Sequence, residues 1–378
     1  MHKLIIAAGG TGGHVYPALA VAEAVRAMQA DNGAAPLLYF VGSVGGMERA
    51  MVAESGVPFA DYAEVRAGPL HGVGVGTMIA SLGQTLVGTR QAIGHLRRWR
   101  SDAVDSCALL MTGGWVNFPV ALAAALLRIP ALIYLPDIEP GLAIKVLRHL
   151  ARRVAVTTEA SYPYFRRGQA VATGYPLRES ITQATRAAGS AHFRLHPDKR
   201  TLLAFGGSRG ARSINTAVID IVPALLADGW QIIHVTGTLD HADITTRRAG
   251  IGAPADYQVF AYLHDDMGLA MAAADVALCR SGASTLGELP HFALPAILVP
   301  YPHAWRYQKV NADYLAERGA ALVLRDEDMA RDLLPTLRRL AADNSAIETM
   351  RERARALQSN GSRAIAREWL ALTEQARQ

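Results

Sequence analysis

Short apolar runs closed by glycine alternate along this chain with stretches whose apolar residues recur every three or four positions. Lys3–Ala8, Leu37–Val41, Cys107–Thr112 and Ala131–Leu135 are nearly unbroken apolar runs, the pattern of strands buried on both faces. Between them, Val15–Gln29 sets Leu19, Ala22, Val25 and Met28 at helical spacing, and Phe118–Leu127 reads as an apolar helix inside a core. The pattern then restarts: Thr201–Phe205, Gln231–Thr236, Val259–Ala261, Val276–Cys279 and Ala296–Pro300 predict further strands with helices between. Such alternation predicts an α/β chain with doubly wound parallel sheets. The expected divisions are a first domain over 1–175, a linker over 176–199, a second domain over 200–345 and a terminal segment over 346–378. The linker rests on Ala184–Lys199, polar and without apolar period; the terminal helix, about Ile347–Gln375, carries Ile365, Trp369 and Leu372 and is expected to return to the first domain.

Composition agrees with a folded protein of two or three domains: 378 residues, 51% hydrophobic and 19% charged. The net charge of +5 suits phosphates, nucleic acid or an anionic membrane and does not choose among them. Cys107 and Cys279 stand far apart, outside any metal-ligand spacing, which argues against a disulfide scaffold or structural zinc. The apolar run Leu4–Ala8 is too short for a signal peptide, so a cytosolic chain is expected. Two uncharged stretches, Ala67–Thr89 and Ser106–Leu127, exceed the roughly 18 residues of a membrane-span candidate. Gly68, Pro69, Gly72, Gly74 and Gly76 in one, and Gly113, Gly114, Asn117 and Pro119 in the other, make them strand, turn and helix instead.

Each half opens with a strand running through a glycine-rich turn into a helix: LIIAAGGTGGHVYPALA at Leu4–Ala20 and LLAFGGSRGARSINTAV at Leu202–Val218. Gly9, Gly10, Gly12 and Gly13 either let a ligand approach the backbone at a helix N-terminus or serve only a tight turn. They match neither the dinucleotide nor the Walker spacing. His14, next along, either serves proton transfer, as an imidazole can, or caps the helix. Gly206, Gly207, Ser208, Arg209 and Gly210 add a hydroxyl to a second anion cradle, with Asn215 a turn beyond. In CRSGASTLGE, Cys279–Glu288, small residues precede a carboxylate; Glu288 can take two ribose hydroxyls or sit at a helix start favoured by the dipole. His303, Arg306, Gln308 and Asn311 suit sugar hydroxyls, or a solvated surface. Val75, Ile79, Leu82, Leu86, Ile93 and Leu96 form a near-helical apolar stripe ending in His95–Arg100, either a core face or a peripheral membrane face with Trp99 and the basic cluster at anionic headgroups.

The ordered set GGTGGHVYPALAVAE, MTGGWVNFPV, GYPLRES, GGSRGARSIN, YLHDDMGLAMAAADVALCRSGASTLGE and PHAWRYQKVNA is specific. From Lys3 to the terminal helix the chain resembles the MurG family within glycosyltransferase family 28, whose members complete the peptidoglycan lipid precursor. The resemblance implies a GT-B fold, with two Rossmann-like domains on an interdomain cleft, the acceptor held mainly by the first and UDP-N-acetylglucosamine by the second. By position it implies Thr11, Gly12 and Gly13 at the donor diphosphate and acceptor, and His14 activating or orienting the acceptor hydroxyl. It puts Arg178 and Ser208 on the nucleotide sugar and the backbone at Leu263 or His264 on uracil. Ala283, Ser284, Thr285, Leu286 and Gly287 would approach the diphosphate, Glu288 the ribose and Gln308 the sugar. The chain departs from the family at YLPDIEPG, Tyr134–Gly141, where Asp137 replaces an expected asparagine, and at Tyr307, where a first glutamine is expected. Asp137 or Glu139 therefore offers a general base, or a cap for the next helix.

The implied reaction is inverting: an acceptor hydroxyl attacks the anomeric carbon opposite UDP, a base takes the proton, and amides with Arg178 stabilise the leaving diphosphate. No metal and no cofactor are expected. The expected partners are UDP-N-acetylglucosamine, an undecaprenyl-linked muramyl-pentapeptide and, peripherally, the anionic cytoplasmic face of the cell membrane, with no nucleic acid. The alternatives are a family 28 enzyme acting on another lipid or a secondary metabolite, a nucleotide-sugar epimerase and a non-catalytic binder.

Overall fold

The computed structural model describes residues 2–30, 36–69, 74–100, 106–207, 210–302 and 305–375. The chain forms two compact units, Met1–Arg178 with Asn360–Gln378, and Glu179–Ser359. The first runs β1 (His2–Ala8), α1 (Gly12–Ala30), β2 (Leu37–Ser43), α2 (Glu48–Glu54), β3 (Asp61–Val65), α3 (Val75–Trp99), β4 (Ser106–Gly113), α4 (Asn117–Leu126), β5 (Ala131–Leu135), α5 (Leu142–Leu147), β6 (Arg153–Val156) and β7 (Ala170–Ala172). The second runs α6 (Glu179–Thr182), α7 (Arg186–His192), β8 (Arg200–Phe205), α8 (Arg212–Ala227), β9 (Trp230–Val235), α9 (His241–Gly250) and β10 (Tyr257–Phe260). It continues through α10 (Met267–Ala273), β11 (Val276–Cys279), α11 (Thr285–His291), β12 (Ala296–Leu298), α12 (Trp305–Glu317), β13 (Ala321–Val323), α13 (Met329–Ala342) and α14 (Asn344–Arg355); α15 (Gly361–Gln375) belongs to the first unit.

Both sheets are parallel, in the orders β3-β2-β1-β4-β5-β6-β7 and β10-β9-β8-β11-β12-β13. Helices on both faces explain why Leu4–Ala8 and Leu109–Met111 are fully buried without alternation. Strand order reverses between β1 and β4 and again between β8 and β11. Loops leaving two such strands diverge to opposite faces and open a crevice at their C-terminal ends, so topology alone brings Gly9–His14 beside Gly113–Gly114, and Gly206, Gly207 and Gly210 beside Arg280–Ser284.

Two expectations are corrected. The polar stretch expected as a linker folds as α6 and α7 in the second unit, because Ile181, Gly189 and Phe193 are buried and α7 packs on α10. The terminal segment is two helices rather than one. α14 stays in the second unit through Ile347, Met350 and Ala354, whereas α15 packs on α1, β4 and β5 through Ile365, Trp369 and Leu372. Trp369 also donates its indole N–H to the Ala108 carbonyl at 3.2 Å.

Candidate functional site

In the first unit the chemistry converges on one imidazole. β1 ends at Ala8, where the register against β4 shifts by a residue and sets Ala8 opposite Gly113. The Gly9 amide donates to the Gly113 carbonyl at 3.2 Å, Gly10 turns with φ +88°, and the Thr11 carbonyl accepts from the amides of His14 and Val15 to start α1. His14 Nδ1 lies 3.0 Å from the Gly9 carbonyl. A carbonyl only accepts, so in the neutral ring the proton sits on Nδ1 and the Nε2 lone pair is left for a substrate proton. The ring packs directly against Gly113: a β-carbon there would come 2.2 Å from His14 Cδ2. One on Gly114 would come 2.3 Å from the Gly9 carbonyl oxygen. Thr112 Oγ1 donates to the His14 carbonyl at 2.7 Å, and the Asn117 side chain bridges the two strand ends, donating to the Ala7 carbonyl at 2.8 Å and accepting from the Gly113 amide at 2.9 Å. Thr11 and Gly13 are exposed beside the ring.

Around this turn, the Arg178 guanidinium stacks 4.1 Å from the centroid of the Tyr16 ring, which in turn packs on Gly12. Asp137 is half-buried after β5, whereas Glu139 is buried and faces Lys145 Nζ at 3.7 Å. Of these two carboxylates, Asp137 is the accessible one.

In the second unit Gly207 (φ +91°) and Gly210 (φ +82°) shape the corresponding turn, and a β-carbon on Gly210 would strike the Thr236 carbonyl at 2.1 Å. Ser208 lies outside the described residues, as does His303. Asn215 does not face a ligand: it is buried, donating to the Thr236 carbonyl (2.8 Å) and Asp240 (2.9 Å) and accepting from His234 Nε2 (3.0 Å). His234 Nδ1 then accepts from the Tyr257 hydroxyl at 2.8 Å, and burial pulls the imidazole pKa down to about 3. Arg280, after β11, holds the Val299 carbonyl (3.2 Å), Ser213 Oγ (2.7 Å) and Asp326, tying the ends of β11 and β12 to α8.

The residues carried onto the donor divide by exposure. Ala283, Ser284 and Glu288 are half-buried, but Thr285 and Leu286 are buried, and the amides of residues 285–288 already donate to the carbonyls of Gly282, Ala283 and Ser284. The amides of 285–288, Gly287 included, are therefore engaged in the first turn of the helix. Gln308 Oε1 accepts from the Tyr301 amide at 2.9 Å, which fixes the side chain and leaves its NH₂ group for a ligand. Asn311, expected at a sugar, is buried and donates to the Ser281 carbonyl at 3.2 Å. Leu263 is buried at its side chain, and His264 is exposed with φ +45°, its ring edge-on to Tyr262.

The stripe on α3 changes character along its length. Ile79, Leu82 and Leu86 are exposed by 63%, 51% and 71%, but Leu96 and Trp99 are buried. The expectation of Trp99 at headgroups fails because its ring stacks on Tyr39 at 4.7 Å and its indole donates to Asp61 at 2.9 Å, with Arg98 on the same carboxylate. Among the described residues no helix is long and apolar enough to cross a membrane.

Residues 4–156 match the sequence profile of the glycosyltransferase family 28 N-terminal domain, and residues 201–368 that of its C-terminal domain. The chain belongs to glycosyltransferase family 28. A family 28 relative in Roseiflexus sp. (strain RS-1), named UDP-N-acetylglucosamine--N-acetylmuramyl-(pentapeptide) pyrophosphoryl-undecaprenol N-acetylglucosamine transferase, is 40% identical over 92% of this chain and 90% of its own length. The protein of the same name in Desulforudis audaxviator is 39% identical over 94% of each chain. The crystal structure of Acinetobacter baumannii MurG superposes with a TM-score of 0.72 at 25% identity, covering 98% of this chain and 99% of that one. The two parallel-sheet domains are thus those of the GT-B fold. A UDP-GlcNAc 2-epimerase from Neisseria meningitidis reaches 0.70 at 12% identity, a likeness of fold alone.

The MTGGWVNFPV motif is plain in the sequence, but the roles of Gly113 and Asn117 are not. Two adjacent glycines directly after a buried strand were the available signal.

Proposed function

We propose that the chain transfers N-acetylglucosamine, with inversion, from UDP-N-acetylglucosamine to the 4-hydroxyl of the muramyl sugar in undecaprenyl-pyrophosphoryl-MurNAc-pentapeptide. The observation that carries this reading is His14, locked by the Gly9 carbonyl over Gly113 with Nε2 left as a base, in a chain whose relatives bear the transferase name at 39–40% identity. Nε2 takes the proton of the attacking hydroxyl as the bond to the anomeric carbon forms and the bond to the UDP oxygen breaks. The resulting imidazolium keeps its Nδ1–H on the Gly9 carbonyl. Arg178, Thr11 and the amides of the Gly9–Gly13 turn meet the charge that gathers on the diphosphate, and Glu288 and Gln308 hold the ribose and the sugar. Ile79, Leu82 and Leu86 rest peripherally on the anionic cytoplasmic membrane face that carries the lipid acceptor.

The test is UDP release from UDP-N-acetylglucosamine with the lipid-linked muramyl-pentapeptide, against a lipid-only control, in wild type and His14→Ala. Acceptor-dependent release that collapses in the variant supports the reading. Donor binding without turnover on this acceptor moves the activity to another lipid or metabolite, the reading that the carboxylate at Asp137 favours.

A further inference from the structure

Beneath the turn that carries His14 lies a carboxylate that no step above uses. Glu48 opens α2 and is fully buried. One oxygen accepts from the Ser43 amide at 2.5 Å, at the end of β2, and the other from the Gly10 amide at 3.4 Å. No arginine or lysine among the described residues pairs with it; its neighbour Arg49 is taken by Glu64. Burying an unpaired carboxylate is strongly unfavourable unless backbone donors answer it.

Three glycines show how closely the backbone wraps this group. A β-carbon on Gly9 would come 2.6 Å from Glu48 Oε1, one on Gly46 2.3 Å from Oε2, and one on Gly42 2.8 Å from Cγ. Gly9 is therefore flanked on one side by the Glu48 carboxylate and, through its carbonyl, on the other by His14 Nδ1 at 3.0 Å. An apolar residue of the same size would leave two amides under the turn without acceptors.

We propose that Glu48 is a positioning residue for transfer: it fixes the Gly9–Gly10 backbone, which in turn fixes the His14 ring and its tautomer. Glu48 touches no substrate; its effect passes through the Gly9 carbonyl. The inference rests on the role given to His14 above. It also predicts that carboxylate length matters, since a shorter side chain cannot reach the amides of both Ser43 and Gly10.

The experiment compares wild type, Glu48→Gln, Glu48→Asp and Gly46→Ala. Gly46→Ala keeps the carboxylate but pushes it with a methyl group, and it guards against a Glu48 variant that fails to fold. Two quantities are read: kcat and donor KM with the lipid-linked acceptor, and hydrogen exchange of the turn amides without substrate. The expected result is a kcat at least tenfold lower, a donor KM within twofold of wild type and faster exchange over Gly9–His14. Unchanged exchange in every folded variant, a kcat within twofold of wild type, or a loss of donor affinity matching the loss of kcat overturns the assignment. A wild type that fails to turn over this acceptor counts against the activity reading instead, because turn exchange needs no substrate.

Discussion

Gly113→Ala tests whether His14 acts by position. The added methyl lands 2.2 Å from Cδ2, 2.6 Å from Cγ and 2.7 Å from Nε2 of the imidazole, so the ring must retreat by about 1.2 Å to reach the 3.4 Å of ordinary contact. Misplacing a reacting group by about 1 Å costs on the order of 10²-fold in rate, or about 2.7 kcal/mol of barrier. The backbone adds its own penalty, because φ at Gly113 is +138°, a conformation costing an L-residue about 1–3 kcal/mol of stability. The assay is kcat/KM from UDP release together with the melting temperature and UDP affinity, in Gly113→Ala, His14→Ala and the double variant. The expected outcome is a loss of about 10²-fold with UDP affinity retained, and almost no further loss when the methyl is added to His14→Ala, where the ring it strikes is gone. Activity within threefold of wild type, or a factor that multiplies through in the double variant, would refute the claim that Gly113 exists to seat His14.

Three further outcomes follow from particular contacts. Burial lowers the His234 pKa from 6.5 to about 3, so the unfolded chain binds a proton that the folded chain refuses; the term is absent above pH 6.5, and stability falls from there toward pH 3 by up to about 1.4 kcal/mol per pH unit. The urea midpoint should therefore drop further between pH 7.5 and 5 in wild type than in His234→Gln. Tyr16→Leu removes the ring under Arg178, a contact of about 0.5–1 kcal/mol, and should raise the donor KM about two- to fivefold while Tyr16→Phe leaves it unchanged. Leu82→Asp with Leu86→Asp should weaken co-sedimentation with anionic vesicles by about tenfold or more, given roughly 1.5–3 kcal/mol per fully buried leucine, without altering UDP affinity.

What was legible in the sequence was whatever repeats over several residues. Buried parallel strands announce themselves as unbroken apolar runs, which is why β5 and β11 fall at Ala131–Leu135 and Val276–Cys279 as expected. Long-range partners were not legible. The segment before β8 looks like a linker because it is polar throughout, yet single residues such as Phe193 decide that it packs. Trp99 follows a basic run and resembles an interfacial anchor until Asp61, 38 residues earlier, supplies the partner for its indole. Asn311 reads as a sugar ligand and Asn215 stands a turn beyond a glycine-rich loop, but tertiary carbonyls already occupy their amide groups.

The same limit explains which candidate residues were visible. His14 and Glu288 were visible because their side chains carry chemistry that can be named from residue type. Gly113, Gly9 and Asn117 were not, because what they contribute is backbone placed where a side chain would interfere. A general base needs a fixed tautomer and a fixed direction as much as a suitable pKa. Here the tautomer comes from one carbonyl, at Gly9, and the direction from the bare surface of another glycine, at Gly113. Those two residues meet only because strand order reverses between β1 and β4. If His14 is the base, as proposed, its placement is a property of sheet topology, and substitutions that add a single carbon at either glycine should rival removal of the imidazole itself.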